Sequence, residues 1–109
     1  MGSRSYFGEL ELLVLAAAYR LGDDAYGVTI RQEISARAGR TVSLGSAYAT
    51  LGRLAEKRLV RFVISEPEPV RGGRARRYVR LTPAGLRTLQ HTVGSLVQMT
   101  EGLSLGARA

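Results

Sequence analysis

The spacing of the apolar residues changes at Leu59, and this change is the feature that most constrains the fold. Before Leu59, apolar side chains recur three or four residues apart, which places them on one side of a helix. After it the period falls to two, as in strands, and a run of prolines and glycines predicts a loop between two strands. The predicted helices are residues 8–20, 25–37 and 43–58, and the predicted strands are residues 60–65 and 74–81. A chain of 109 residues has room for one such domain, which is mainly α with a small β-hairpin.

The first helix is apolar on nearly every side. One stripe of apolar residues suits the core of its own domain, but Leu12, Leu15 and Tyr19 lie outside that stripe. A helix of this kind needs two partners, and a domain this small offers one core. We therefore expect a second protomer to cover the remaining side.

The second predicted helix has Asp24 as a candidate N-cap, and Ala38-Gly39 marks its end. The next three residues, Arg40-Thr41-Val42, have the extended character of a minor edge strand. They lead directly into the third helix.

The third helix begins at Ser43, whose hydroxyl can accept a backbone N–H of the first turn. Its outward face carries short hydroxyls, one amphipathic ring and two cations, instead of the Glu/Lys pairs of an ordinary surface helix. Small residues near its start would let it lie close against a partner, and a DNA major groove admits a helix. We predict a recognition helix, with DNA contacts from Ser43, Ser46, Tyr48, Thr50, Arg53 and Lys57.

The net charge of +7 is concentrated in one block. Residues 1–52 hold five basic and five acidic side chains, whereas residues 53–87 hold ten basic and three acidic ones. Such asymmetry is typical of a polyanion-binding surface; arginine enrichment from a GC-rich genome is the alternative, but it would not place the excess in one block. The basic side chains of the hairpin that we expect to contact DNA are Arg71, Arg74, Arg76, Arg77 and Arg80.

A last helix is predicted from Thr82, with Pro83 at its first position. Its apolar residues are spaced alternately three and four apart, close to the 3.5-residue period of two packed helices. This seam predicts a dimer interface with the first helix, although the seam could instead pack on its own domain. The predicted interface residues are Leu12, Leu15, Tyr19, Leu86, Leu89, Val93, Leu96 and Leu103.

The order of helix, helix, short strand, helix and hairpin predicts a winged helix-turn-helix in residues 1–82, with residues 83–105 as a dimerisation helix of the same compact unit. The ordered motifs also resemble the PadR family of bacterial transcriptional regulators. They are Gly8-Glu9, Tyr26-Gly27, Val42-Ser43, Tyr48, Leu51, Leu54, Arg74-Ala75-Arg76-Arg77-Tyr78 and Leu81-Thr82-Pro83-Ala84-Gly85.

The resemblance is to the short subfamily, and it implies a homodimer held by the first and last helices. It implies DNA contacts from Tyr48, its neighbours on the third helix and the basic wing. Arg58 stands where the family commonly has glycine, and the chain lacks the tryptophans with which some relatives bind planar effectors.

These features together predict a homodimeric repressor that binds a pseudo-palindromic operator in double-stranded DNA. The alternatives are a winged-helix module that binds an acidic protein or a structured RNA through the basic wing. Tyr6, Phe7, Tyr19 and residues 96–99 could line a site for a small apolar effector, or could be ordinary core.

An enzyme, a cofactor and a metal site are not expected, because the chain has one histidine, His91, and no cysteine. No apolar run is long enough to cross a bilayer, and the lack of cysteine fits a cytoplasmic protein.

Overall fold

Four helices and one antiparallel hairpin make up the computed structural model, which describes residues 7–65 and 76–105. This architecture confirms the predicted mainly α fold with a small hairpin. In chain order the elements are α1 (Glu9–Leu21), a 3-10 turn (Gly22–Asp24), α2 (Gly27–Ala38), α3 (Leu44–Glu56), β1 (Val60–Ile64), β2 (Arg77–Leu81) and α4 (Pro83–Thr100).

The core forms around α1, which packs against α2, α3, β2 and α4. Apolar side chains from each of these elements meet there and are excluded from solvent. The largest of them are Val14 and Leu15 of α1, Ile30 of α2, Leu51 and Leu54 of α3, and Val79 of β2. Their burial fixes α3 against α1 and leaves the other side of α3 exposed.

The hairpin pairs β1 with β2 so that Val60 lies opposite Leu81, and Phe62 opposite Val79. On the other edge of β2, the Val79 N–H donates to the carbonyl of Ala25 at 2.8 Å. The expectation of an edge strand at residues 40–42 is therefore wrong. That segment forms no strand, and the carbonyl of Val42 instead accepts a hydrogen bond from the Arg31 side chain.

Helix caps are confirmed at three ends and corrected at one. Ser43 accepts the Ser46 N–H, and Thr82 accepts the Gly85 N–H, each at 3.0 Å. Gly39 ends α2 with a φ of 67°. Asp24, however, does not cap α2. The helix begins at Gly27, two residues later than predicted, and the Thr29 hydroxyl accepts the Tyr26 N–H at its start.

The connection from α3 to β1 turns through a left-handed residue, Arg58, whose φ is 62°. Its N–H donates to the Ala55 carbonyl and the Leu59 N–H donates to the Leu54 carbonyl, both at 2.9 Å. This is the hydrogen-bond pattern of a Schellman motif, in which glycine usually takes the left-handed position. Arg58, which stands where the family commonly has glycine, therefore adopts a backbone conformation that is unfavourable for a residue with a side chain.

The first turn of α4 lies against this same connection. The Thr82 N–H donates to the Leu59 carbonyl at 3.0 Å, and a Cβ at Gly85 would overlap that carbonyl. Glycine is therefore required at residue 85 by close approach. From Val93 onward α4 leaves the domain and is exposed, and it ends at Thr100, so Leu103 lies beyond the helix.

Candidate nucleic-acid interface

The exposed side of α3 is almost flat along its centre. Gly45, Ala49 and Gly52 lie there in successive turns, and a Cβ placed on Gly52 would have no atom within 4 Å. Ser46 and Arg53 flank this strip on one side, and Tyr48 flanks it on the other, with 47% of its surface exposed. A helix with such small side chains can bring its backbone close to the floor of a groove.

Two of the residues predicted to contact DNA lie away from the exposed strip of α3. Thr50 has no exposed surface, and its hydroxyl accepts a hydrogen bond from the Arg53 guanidinium at 3.1 Å. Lys57 is the C-cap residue and points toward α1, with its side chain 25% exposed. Both residues lie on the edge of α3 that turns toward α1. The spacing of the leucines in the sequence placed the centre of the buried side farther from Thr50 than the structure does.

Tyr48 lies on the first turn of α2. A Cβ built on Gly27 would be 2.6 Å from two carbons of the Tyr48 ring and 2.8 Å from its hydroxyl. The ring therefore occupies the space that any side chain at residue 27 would need. This contact ties the exposed ring to the start of α2 and defines its direction.

Glu11 of α1 brings the cations of α3 together. Its side chain is 6% exposed, and its two oxygens lie 2.8 and 3.0 Å from the Lys57 ammonium. The Nε of Arg53 lies 3.6 Å away. Glu11 also accepts the Gly8 N–H at 3.1 Å and thereby caps the start of α1.

The described part of the wing presents its arginines on aromatic rings. Arg76 stacks over Tyr26 at 4.4 Å and Arg77 over Phe62 at 4.1 Å, measured from the guanidinium carbon to the ring centre. Arg80 pairs with Asp23 at 3.3 Å. Contact with an aromatic face favours a fixed orientation of the planar guanidinium. Arg71 and Arg74 lie outside the described residues.

Tyr26 links the wing to α2. Its ring meets that of Tyr78 edge to face, with the two centres 5.6 Å apart. Because Tyr26 immediately precedes Gly27, one short segment contacts both the hairpin and Tyr48 of α3. The position of the wing and the direction of Tyr48 therefore depend on the same turn.

A second exposed surface is apolar and lies on the far half of α4 with the end of α1. It includes four predicted interface residues and three others, Val97, Met99 and Leu105, which the sequence analysis did not assign to the interface. The exposed members are Tyr19, Val93, Leu96, Val97, Met99, Leu103 and Leu105.

Two predicted interface residues are buried in the chain's own core instead. Leu15 has no exposed surface, and Leu89 is 7% exposed. Leu12 and Leu86 are half-buried. The alternative that the seam packs on its own domain is therefore right for the first half of α4.

The residues suggested for an effector site are not together within one chain. Phe7 packs near Lys57 at the start of α1, and Tyr19 lies at the other end of that helix. Tyr6 lies outside the described residues. No helix in the described residues is long and apolar enough to cross a membrane.

Comparison with known proteins identifies this arrangement. The family described as "Transcriptional regulator PadR-like family" matches residues 14–91, most of the chain. The chain belongs to the PadR-like family. It is a DNA-binding transcriptional regulator with a winged-helix fold, as the motifs indicated.

Solved structures of PadR-family regulators share this fold. A PadR-like transcription factor from Bacteroides fragilis is 26% identical with a TM-score of 0.67, and the match covers 84% of each chain. A PadR family regulator from Clostridium difficile is 24% identical with a TM-score of 0.65, covering 87% of this chain and all of that one. A transcriptional regulator from Clostridium thermocellum is 17% identical with a TM-score of 0.68, and the match covers 91% of this chain and 93% of that one.

Comparison with curated proteins gave no match. PadR-family regulators are generally not enzymes.

Sequence reasoning missed the roles of Glu11 and Gly27. Glu11 interrupts the apolar pattern of α1, and a carboxylate within such a pattern indicates a paired charge when no polar face is available. Gly27 near the start of a predicted helix was a signal of close approach by another group. Neither signal named the partner, because Lys57 and Tyr48 are distant in the sequence.

Proposed function

We propose that this PadR-family chain is a homodimeric repressor that binds a pseudo-palindromic operator. The third helix, α3, enters the major groove, and the wing lies along the adjacent backbone or minor groove. The observation that carries this proposal is the exposed strip of Gly45, Ala49 and Gly52, flanked by Tyr48 and Arg53. The strip permits deep entry into a groove, and its flanks supply groups that hydrogen-bond to base edges and phosphates.

The wing supports this orientation. Arg76 and Arg77 are exposed and stacked on rings, and β2 lies beside the segment that contacts Tyr48. Arg71 and Arg74 belong to the same basic segment of sequence. We therefore infer that the wing supplies mainly phosphate contacts, which set affinity, whereas α3 supplies the contacts that set sequence preference.

Dimerisation through α4 supports the two-fold operator. The exposed apolar side chains of α4 form a surface of the kind that a partner helix covers, and Met99 is 77% exposed. We propose residues 1–82 as the DNA-binding part and 83–105 as the dimerisation segment. Two-fold symmetry would place the recognition helices about 34 Å apart, one turn of DNA, and a dimer seated there would block other proteins from the site.

The test is selection of bound duplexes from a random library, followed by titration by fluorescence anisotropy at two salt concentrations. We expect an enriched inverted repeat, bound by two chains per site, and an affinity that falls with salt and with scrambling of the repeat. Absence of any enriched sequence, with equal affinity for all duplexes, would contradict an operator-binding function. Enrichment of a single half-site bound by one chain would contradict the dimer.

A further inference from the structure

The buried carboxylate of Glu11 lies between two cations of the recognition helix. Lys57 contacts both of its oxygens, and Arg53 lies at 3.6 Å from one of them. Every other acidic side chain of α1 and α2 that forms an ion pair in the described residues pairs with arginines outside α3: Glu9 with Arg40, and Glu33 with Arg20 and Arg37. Among these ion-paired carboxylates, Glu11 is therefore the one that pairs with the cations of α3.

The two cations occupy one edge of α3. Arg53 and Lys57 are four residues apart and so lie one above the other on the helix surface. The same edge carries the exposed Ser46. Without Glu11, Lys57 could turn from this edge toward a phosphate beside the groove, and Arg53, which is already exposed there, would be less restrained.

Removing Lys57 from Glu11 is costly. The carboxylate is 6% exposed, and removing one partner from a buried ion pair is strongly destabilising. A phosphate contact at the protein surface is worth less than this, because water and salt screen it. Lys57 therefore stays with Glu11 when DNA is present.

We propose that Glu11 is a positioning residue that withholds Lys57 from the DNA backbone and restrains Arg53 beside it. Contacts between cations and phosphates are independent of sequence. When a cation on α3 is kept away from the phosphates, the affinity for all DNA falls. Base contacts then supply a larger share of the binding free energy. Glu11 thereby increases selectivity. This inference rests on the proposed role of α3 in DNA binding.

The test is the salt dependence of binding to a scrambled duplex, measured for the parent and for Glu11→Gln. Glutamine keeps the length of the side chain and can still accept the Gly8 N–H, but it no longer holds the cations. We expect tighter binding to the scrambled duplex, and a plot of log affinity against log salt that is steeper by about 0.9 for each cation released per protomer. The preference for the selected operator over the scrambled duplex should fall.

Glu33→Gln is the matched control. Glu33 also bridges two cations, at 3.1 and 2.8 Å, and its substitution changes the net charge equally, but neither cation belongs to α3. We expect the parental slope for this variant. If Glu11→Gln and Glu33→Gln give the same slope, Glu11 has no special control over DNA contacts and the inference is overturned.

A second variant addresses the chance that Glu11→Gln does not fold. Glu11→Met with Lys57→Met removes the whole pair, which buried sites commonly tolerate. Its slope should be no shallower than the parental slope, because Lys57 makes no phosphate contact in the parent. A slope shallower by about 0.9 per protomer would show that Lys57 does contact DNA and would overturn the inference. If the parent itself shows no salt-dependent binding, the proposed function fails instead.

Discussion

Substitution of Gly27 by alanine should displace Tyr48 and weaken DNA binding while leaving the fold intact. The added Cβ would be 2.6 Å from the ring, whereas carbon atoms in contact prefer about 3.5–4.0 Å. The ring must therefore move by about 1 Å. Because Tyr48 is half exposed, it can do so at little cost, and alanine is a better helix residue than glycine by about 0.5–1 kcal/mol. We expect a change in unfolding free energy close to zero.

The effect on DNA binding should be much larger. A ring moved by about 1 Å loses a hydrogen bond or close contact worth about 1 kcal/mol net. That is about fivefold in Kd at one half-site and about 30-fold for a dimer on two.

A double-mutant cycle with Tyr48→Ala isolates this mechanism. The change Gly27→Ala should have no effect on DNA affinity when Tyr48 is already alanine, and it should then stabilise the fold. The affinities would be measured by anisotropy on the selected operator, and the stabilities by urea unfolding. An equal loss of affinity in both backgrounds would refute the idea that Gly27 acts through the Tyr48 ring.

Three further predictions test other parts of the molecule. Arg58→Gly should be more stable than Arg58→Ala by about 1 kcal/mol, which corresponds to a Tm higher by about 4–8 °C. Both substitutions remove the long side chain, but only glycine relieves the strain of the left-handed φ. Equal Tm values would mean that no strain is stored at residue 58. Val97→Asp should give a monomer in sedimentation, since a charge would be buried where the exposed apolar surface of α4 meets its partner. A dimer unchanged by this substitution would mean that the interface lies elsewhere. Arg76→Ala with Arg77→Ala should reduce the salt slope by about 1 per arginine removed and weaken binding equally for operator and scrambled duplexes, whereas a loss confined to the operator would assign base contacts to the wing.

The order of helices and strands could be predicted from the sequence because it depends on local signals. The period change at Leu59, the N-caps at Ser43 and Thr82, and Gly39 each act within one turn of the chain, and each was confirmed. The PadR motifs added the family. The edge strand at residues 40–42 was wrong because pairing to β2 is decided in three dimensions, where Ala25 occupies that edge.

The side-chain assignments on α3 and α4 were less accurate, for a physical reason. Helical periodicity gives the apolar side only to within part of a turn. Thr50 and Lys57 lie at the margin of the buried side, and the neighbouring α1 covers them. Leu15 and Leu89 were both predicted to lie in the dimer interface, but the core of the same domain encloses both. Spacing alone cannot show which partner buries a residue.

The central claim is that the strip of small residues on α3 faces DNA, and thiol protection tests it most directly. The chain has no cysteine, so Ala49→Cys places a single thiol in the middle of the strip, and Ala36→Cys places one on the exposed surface of α2 as a control. The rate of alkylation would be measured with and without the selected operator. We predict that DNA slows alkylation strongly at residue 49 and leaves residue 36 unchanged. Equal rates at residue 49 with and without bound operator would contradict the claim, because the strip would then remain open to solvent in the complex.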